Sequence, residues 1–313
     1  MNNTSNTYNT NKYIGFIGLD LDGTVFNDNK EITPLTLKAI KDAEEKGLLV
    51  SPVTGRPMNG VPDEFVKELK SKYVIAANGA AIYKRLKDIE EAEEYRANGH
   101  FVMDFGENNL YANIYEDTME DEKVIEILTT LEAFDMVPDC FVNGSGHMPL
   151  YAKEMIPKLG LAKSMENYIL SRREYFPDLK EYVKNETTKV EKITINFYLN
   201  DEGKKEKERA YNALKKIEGI ALVSGAPHNL EVNCDTVGKG NAILTLCEIL
   251  GIDKKKTCAC GDDINDLDMI EKTEFSVAMG NAVPLIKERA SFTTLSNEED
   301  GVAVAIDKFI SRL

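Results

Sequence analysis

The chain has 313 residues, a length that suits about two domains, with 42% hydrophobic and 29% charged side chains. That balance excludes a disordered polymer and supplies a substantial core. Its 53 acidic and 38 basic side chains leave a formal charge of −15, a field that disfavours nucleic acid and anionic membrane as partners.

Residues 1–12, MNNTSNTYNTNK, hold five Asn and three Thr and cannot bury enough surface to fix a conformation, so a frayed tail is expected over 1–11. They lack the basic start and apolar block of a secretory signal. No run approaches the roughly 18 apolar residues of a membrane span. The five cysteines, an odd number without a signal, suggest reduced thiols and a cytoplasmic address. Cys258-Ala-Cys260 reads better as a buried strand than as a metal or redox pair, and with three His and no paired CxxC a zinc site is not expected.

The apolar run YIGFIGL at 13–19 predicts a strand buried on both faces, as in a parallel sheet. Thr33 suits a helix N-cap and Pro34 the first turn, with Leu37, Ile40 and Ala43 at helical spacing and Gly47 as the stop. A second apolar run, Leu48 to Val53, leads into Thr54-Gly55-Arg56-Pro57. A polar helix near 62–71, a strand at 73–77 and the turn Asn78-Gly79 follow. This alternation predicts an α/β fold with a doubly wound, mostly parallel sheet.

After about residue 84 the pattern changes. Acidic clusters (Glu90, Glu91, Glu93, Glu94; then Glu116 to Glu122) read as solvated helix faces, as does Lys204 to Arg209. Ile193 to Leu199 alternates, which predicts an antiparallel sheet with one face buried and one wet. From about residue 235 the first rhythm returns, with a helix at 241–250 ended by Gly251, strands at 257–260, 275–279 and 291–294, and a capping box, Ser296 to Glu299, for the last helix. The expected organisation is a core split in sequence, 12–83 with 235–313, around an inserted α+β domain at 84–234.

Ligands of parallel sheets bind beyond the carboxyl ends of the strands. Asp20, Thr54, Asn78 and Asp262 all stand where apolar runs stop, so the fold gathers them at one crevice. Asp20-Leu21-Asp22-Gly23-Thr24 sets two carboxylates two residues apart, an arrangement that favours a bound cation or a proton on one of them. Hard oxygens suit Mg2+, and Gly261-Asp262-Asp263-Ile264-Asn265-Asp266 could complete such a site. An EF-hand is excluded, because the sixth loop position is Val25 counted from Asp20 and Leu267 counted from Asp262, not Gly. Thr54-Gly55 offers a hydroxyl and a backbone N–H to an anion, and Lys239, between Gly238 and Gly240, offers a mobile cation. Dinucleotide and P-loop patterns are absent.

DLDGT at 20–24, TGRP at 54–57, the lysine of VGKG at 237–240 and GDDIND at 261–266 resemble, in order and spacing, the four motifs of the haloacid dehalogenase (HAD) superfamily. Asn78-Gly79-Ala80, Met279-Gly280-Asn281-Ala282 and the large insert look like its Cof-type (IIB) sugar-phosphatase-like members. Val25 stands where Leu is commoner. The resemblance implies that Asp20 is a nucleophile forming an aspartyl-phosphate and that Asp22 protonates the leaving alcohol and then deprotonates water. It implies Mg2+ on Asp20, Asp262 and the backbone carbonyl of Asp22, supported from behind by Asp266 and Asp263. Thr54, Gly55, Lys239 and Asn265 would hold the phosphoryl oxygens.

The expected activity is therefore hydrolysis of a small phosphate ester, a sugar phosphate or a phosphorylated cofactor, by a monomer or small homo-oligomer with a cap over the crevice. A phosphomutase on the same scaffold and a non-catalytic metabolite sensor are the alternatives. Phe141 to Tyr151, with its Gly, aromatics and His147, suits either a substrate-contact loop or, more simply, a hairpin. His100 and His228 read as structural, and Arg56 suits either a substrate contact or a surface ion pair.

Overall fold

The computed structural model describes residues 13–184 and 188–313; the expected tail at 1–11 lies outside them. The chain forms two compact units. One contains the described residues up to Thr54 together with Glu68–Ile75 and Gly238–Leu313, and the other contains Gly55–Lys67 and Ala76–Val237. No helix among the described residues is long and apolar enough to cross a membrane.

The first unit is built on five parallel strands in the order Phe292–Thr293, Phe275–Ala278, Thr257–Gly261, Gly15–Leu19, Leu48–Pro52. Every residue of the two central strands is buried, which is why both read as uninterrupted apolar or small-residue runs. Cys258 and Cys260 fall inside the second of these, as buried thiols. The first helix, Pro34–Glu45, begins as expected, with Thr33 Oγ1 accepting from the N–H of Thr36, and the chain leaves it through Gly47 at φ 87°. The helix expected near 62–71 contracts to a π-helical turn, Glu64–Glu68, because Pro62 and the left-handed Lys70 (φ 51°) bound it. The Ser296–Glu299 capping box is present but caps a short 3-10 turn, Asn297–Glu299; Asp300 then turns left-handed (φ 56°) before the helix Gly301–Ile310.

The second unit carries a six-stranded sheet ordered Ile220–Val223, Asn229–Cys234, Val190–Asn196, Val137–Val142, Ser145–Pro149, Arg173–Phe176. Its pairs are antiparallel except the last, which is parallel. Three further antiparallel strands, Ala81–Arg85, Leu110–Glu116 and Val102–Asp104, form a smaller sheet segment. One face of the larger sheet packs a core that includes Cys140, Ile193, Ile195 and Val232 with Val124, Ile127 and Leu214 of the helices Asp121–Leu131 and Asp201–Leu214.

The wet face predicted from the alternation at 193–199 is not wet. All seven residues of Val190–Asn196 are buried, Lys192, Thr194 and Asn196 included. Lys192 pairs with Glu231 at 3.0 Å, donates to the carbonyl of Gly55 at 2.5 Å and lies 4.9 Å from the centre of the Phe141 ring. Ion pairing, hydrogen bonding and a cation–π contact thus replace the water that the sequence pattern implied. Phe141 to Tyr151 includes a hairpin turn at 143–144. His147 is buried there and stacks on Tyr182 with ring centres 5.0 Å apart, its basicity lowered chiefly by burial.

A β-bulge interrupts the pairing of Val190–Asn196 with Val137–Val142 between Val190 and Lys192. It leaves Glu191 as the extra residue and re-aims its side chain. Glu191 Oε1 accepts from Tyr83 Oη and from the N–H of Gly144, both at 2.9 Å. Burial is the main force pushing this carboxyl up to about 7.

Candidate active site

The strand Gly15–Leu19 delivers Asp20 at its carboxyl end, and the neighbouring strand Thr257–Gly261 delivers Asp262. The sheet fixes both positions: the Asp20 N–H donates to Cys260 O at 3.0 Å, and the Met279 N–H donates to Gly261 O at 3.1 Å. Asp20 is 5% exposed, so its carboxylate needs a partner in a low-dielectric setting.

That partner is Lys239. Its Nζ lies 2.6 Å from Asp20 Oδ1 and 2.6 Å from Asp266 Oδ1, with no exposed surface. The mobile cation expected from the glycine-flanked motif is therefore a locked one. Lys239 is the first residue of the helix Lys239–Leu250. A side chain at Gly238 or Gly240 would run into Asp268, whose carboxylate accepts from the N–H groups of Gly240 (2.7 Å) and Asn241 (3.1 Å). The glycines let the helix start close against Asp268, and that approach sets Lys239 in place.

Asp266 does two things. Oδ1 takes the Lys239 ammonium, and Oδ2 accepts from the N–H groups of Asp262 (2.8 Å) and Asp263 (3.1 Å). Asp263 in turn caps the 3-10 turn Ile264–Asp266, which holds Asn265, half-buried. The loop carrying Asp262 is thus shaped by carboxylate-to-backbone bonds. Thr24, a residue the sequence reading did not single out, donates its hydroxyl to Asp262 Oδ1 at 3.1 Å. A Cβ on Gly23 would collide with the Asp262 carboxylate, and Gly23 itself sits at φ 82°. The glycine of the first motif thus makes room for the acid of the last.

Oxygens of Asp20, Asp262 and Asp266 lie within 4.8 Å of one another. Three carboxylates face one ammonium, and two of them, Asp20 and Asp262, hold their protons more tightly than usual. Burial raises Asp20 well above the ordinary range, Asp266 and Asp262 add to the rise, and Lys239 opposes it. Burial and then Asp266 push Asp262 up to about 7, with Thr24 opposing. Lys239 is held as the ammonium because its two carboxylates outweigh burial. The site fits a divalent cation: hard oxygens converge, and their surplus charge calls for one.

Asp22 stands apart from this cluster, its side chain 40% exposed and paired with Lys30 at 2.9 Å. Thr54 is buried just beyond Leu48–Pro52, its N–H donating to Ile75 O at 2.9 Å. Gly55 is the next residue along the chain and opens the second unit. Arg56, left open by the sequence, lies in that unit with its guanidinium 5.2 Å from the centre of the Tyr168 ring and donates to Gly60 O at 3.2 Å.

A family model for haloacid dehalogenase-like hydrolases matches residues 17–306. The chain belongs to that family, in its Cof-type branch. Among curated relatives, Phosphatase YwpJ of Bacillus subtilis is 30% identical, with 92% of this chain and 96% of the relative covered. The 5-amino-6-(5-phospho-D-ribitylamino)uracil phosphatase YwtE of the same organism is 28% identical, with 94% and 98% covered. A solved haloacid dehalogenase-like hydrolase from B. subtilis superposes with a TM-score of 0.75 at 26% identity, over 94% of this chain and 99% of that one. This family member is a phosphatase, a phosphoric monoester hydrolase, and the α/β core with a second α+β unit is the architecture its relatives share.

Proposed function

We propose that this enzyme is a Mg2+-dependent phosphatase of small phosphorylated metabolites, sugar phosphates or phosphorylated cofactors, working through an aspartyl-phosphate on Asp20. The observation that carries the reading is the buried Asp20 carboxylate, held at 2.6 Å by Lys239 beside Asp262 and Asp266. A carboxylate at the end of a buried strand, with a fixed cation beside it, is an oriented nucleophile. The substrate for which YwtE is named, a phosphorylated ribityl compound, supports the substrate class.

In this reading Asp20 attacks phosphorus, and the bond from phosphorus to the ester oxygen breaks with its electron pair on that oxygen. Asp22 gives that oxygen a proton. Water then attacks the aspartyl-phosphate, Asp22 takes the proton of the water, and the bond from phosphorus to Asp20 breaks to release phosphate. Lys239, the Thr54 hydroxyl, the Gly55 N–H and Asn265 hold the phosphoryl oxygens. Asp20, Asp262 and the backbone carbonyl of Asp22 would hold Mg2+, with Asp266 and Asp263 fixing the loop behind them. When bound, the ion supplies Lewis-acid neutralisation of the charge that gathers on the phosphoryl group. Residues 84–234 act as the cap that chooses among alcohols, around a catalytic core of 12–83 and 235–313, and the enzyme works in the cytoplasm.

The test is Asp20→Asn with p-nitrophenyl phosphate and a panel of phosphorylated metabolites. The variant should fold and release no phosphate, whereas the parent, quenched during turnover of a labelled ester, should carry acid-stable, hydroxylamine-labile label. Unchanged turnover in the variant would overturn the reading, and so would a parent that moves phosphate between hydroxyls without releasing it.

A further inference from the structure

We propose that Lys192 is a positioning residue for the phosphoryl group, holding Gly55 in the conformation from which its N–H meets a phosphoryl oxygen. The inference rests on the phosphoryl-binding role given to Gly55 above. Lys192 Nζ donates to Gly55 O at 2.5 Å and pairs with Glu231 Oε1 at 3.0 Å, with 1% of its side chain exposed. The chain is tied down on both sides of the glycine: the Thr54 N–H donates to Ile75 O at 2.9 Å, and the Ala77 N–H donates to Arg56 O at 2.9 Å. Between these ties, a residue without a Cβ is free to turn about both of its backbone torsions. A Cβ there would stand 2.8 Å from Asn78 Oδ1 and 3.4 Å from Lys192 Nζ, so the glycine is what lets the ammonium come this close. The hydrogen bond from Lys192 then removes the freedom that the glycine brings.

Glu231 is itself held at both oxygens. Its Oε2 accepts from Asn78 Nδ2 at 2.7 Å, and Asn78 Nδ2 also reaches Asn233 Oδ1 at 3.1 Å. The ammonium is thus aimed by a buried carboxylate whose own position is fixed. Stability does not account for the arrangement, because desolvating two charges offsets most of what their attraction returns, and apolar residues of similar volume often serve a fold as well. A rigid donor on the carbonyl of a mobile glycine does account for it. Lys192 belongs to the stretch 84–234, read above as choosing among alcohols. Its contact with Gly55 assigns it instead to the phosphoryl end of the substrate, which every ester shares.

The experiment measures kcat/KM, which reports the steps up to the first phosphoryl transfer, on an alkyl phosphate and on p-nitrophenyl phosphate, together with inhibition by inorganic phosphate. Lys192→Met is combined with Glu231→Gln so that no buried carboxylate is left unpaired. Glu231→Gln alone is the control, because its lysine, charged or neutral, still donates to Gly55 O. The double variant should lose about tenfold in kcat/KM on both esters alike, less than the roughly 10²–10³-fold of removing a transition-state donor outright. Its inhibition by phosphate should weaken in parallel, while Glu231→Gln stays near the parent in all three measurements. Lys192→Gln, whose shorter amide can serve Glu231 but not both partners, is a second variant and should show the same uniform loss. A loss confined to one ester, unchanged inhibition by phosphate, or an equal loss in Glu231→Gln would overturn the proposal. Gly55→Ala separates it from the reading beneath it. If Gly55→Ala loses kcat/KM on both esters while the two Lys192 variants do not, Lys192 alone is refuted. If Gly55→Ala matches the parent, the phosphoryl-binding role of Gly55 fails and the proposal falls with it.

Discussion

Lys239 Nζ lies 2.6 Å from Asp20 Oδ1, and neither side chain has more than 7% of its surface exposed. A cation and a carboxylate sealed together in this way have linked fates. Lys239→Met leaves Asp20 and Asp266 without their shared counter-charge, and breaking a buried pair costs about 3–5 kcal/mol. The expected result is a lower thermal midpoint together with a drop in kcat of roughly 10²–10³-fold, the usual effect of losing one transition-state donor. Steady-state kinetics on whatever folded fraction remains, set beside a melting curve, separates the two losses.

Metal removal should abolish turnover reversibly. Treatment with EDTA followed by Mg2+ is expected to restore activity, and activity that survives full chelation would contradict the assignment. A companion measurement needs no substrate. Asp262→Asn removes a carboxylate that burial and Asp266 push up to about 7, so at pH 8 the metal-free variant should melt a few degrees above the metal-free parent, about 1 kcal/mol or more at this chain length. Added Mg2+ should then raise the melting temperature of the parent and leave that of the variant nearly unchanged.

Gly23→Ala should be damaging well beyond its size. The new methyl group would meet the Asp262 carboxylate, at a backbone angle of φ 82° that favours glycine. Loss of Mg2+-dependent activity with a destabilisation of at least about 1 kcal/mol is expected. Wild-type kcat in this variant would show that Asp262 can retreat without consequence.

Glu191 supplies a pH dependence that can be isolated. Its carboxyl is raised from 4.5 to about 7, so between those values the folded chain keeps a proton that the unfolded chain has released. Its contribution is fully present below about 4.5 and is lost as pH rises through about 7. The stability difference between the parent and Glu191→Gln should therefore change across that window by on the order of 3 kcal/mol and flatten above it. Denaturant melts at half-unit pH steps would check this; a constant difference would show that the carboxyl titrates normally.

The positions of Asp20 and Asp262 were legible because an apolar run buried in a parallel sheet can end only where the chain leaves the sheet, and both acids stand at such ends. The character of Lys239 was not. Two flanking glycines read as looseness, yet here they permit close packing against Asp268, a contact between segments that periodicity does not report. The sealing of the second face at Lys192 escaped the sequence for a similar reason. Alternation places it on the second face of a sheet, but Glu231, Gly55 and Phe141, which seal that face, come from distant parts of the chain. Thr24 and Lys30 lie within or beside the first motif, and only their hydrogen bonds reveal what they touch.

The pairing of Ile17 with Cys258 has a consequence for biosynthesis. On a ribosome the first strand emerges long before its central neighbour has been translated, and it is an apolar segment with nothing on one side. Most of the second unit, Ala76–Val237, emerges as one continuous stretch and can assemble in the meantime. The five-stranded sheet closes only when the last quarter of the polypeptide arrives, so the first strand lacks its partner Thr257–Gly261 until synthesis is nearly complete.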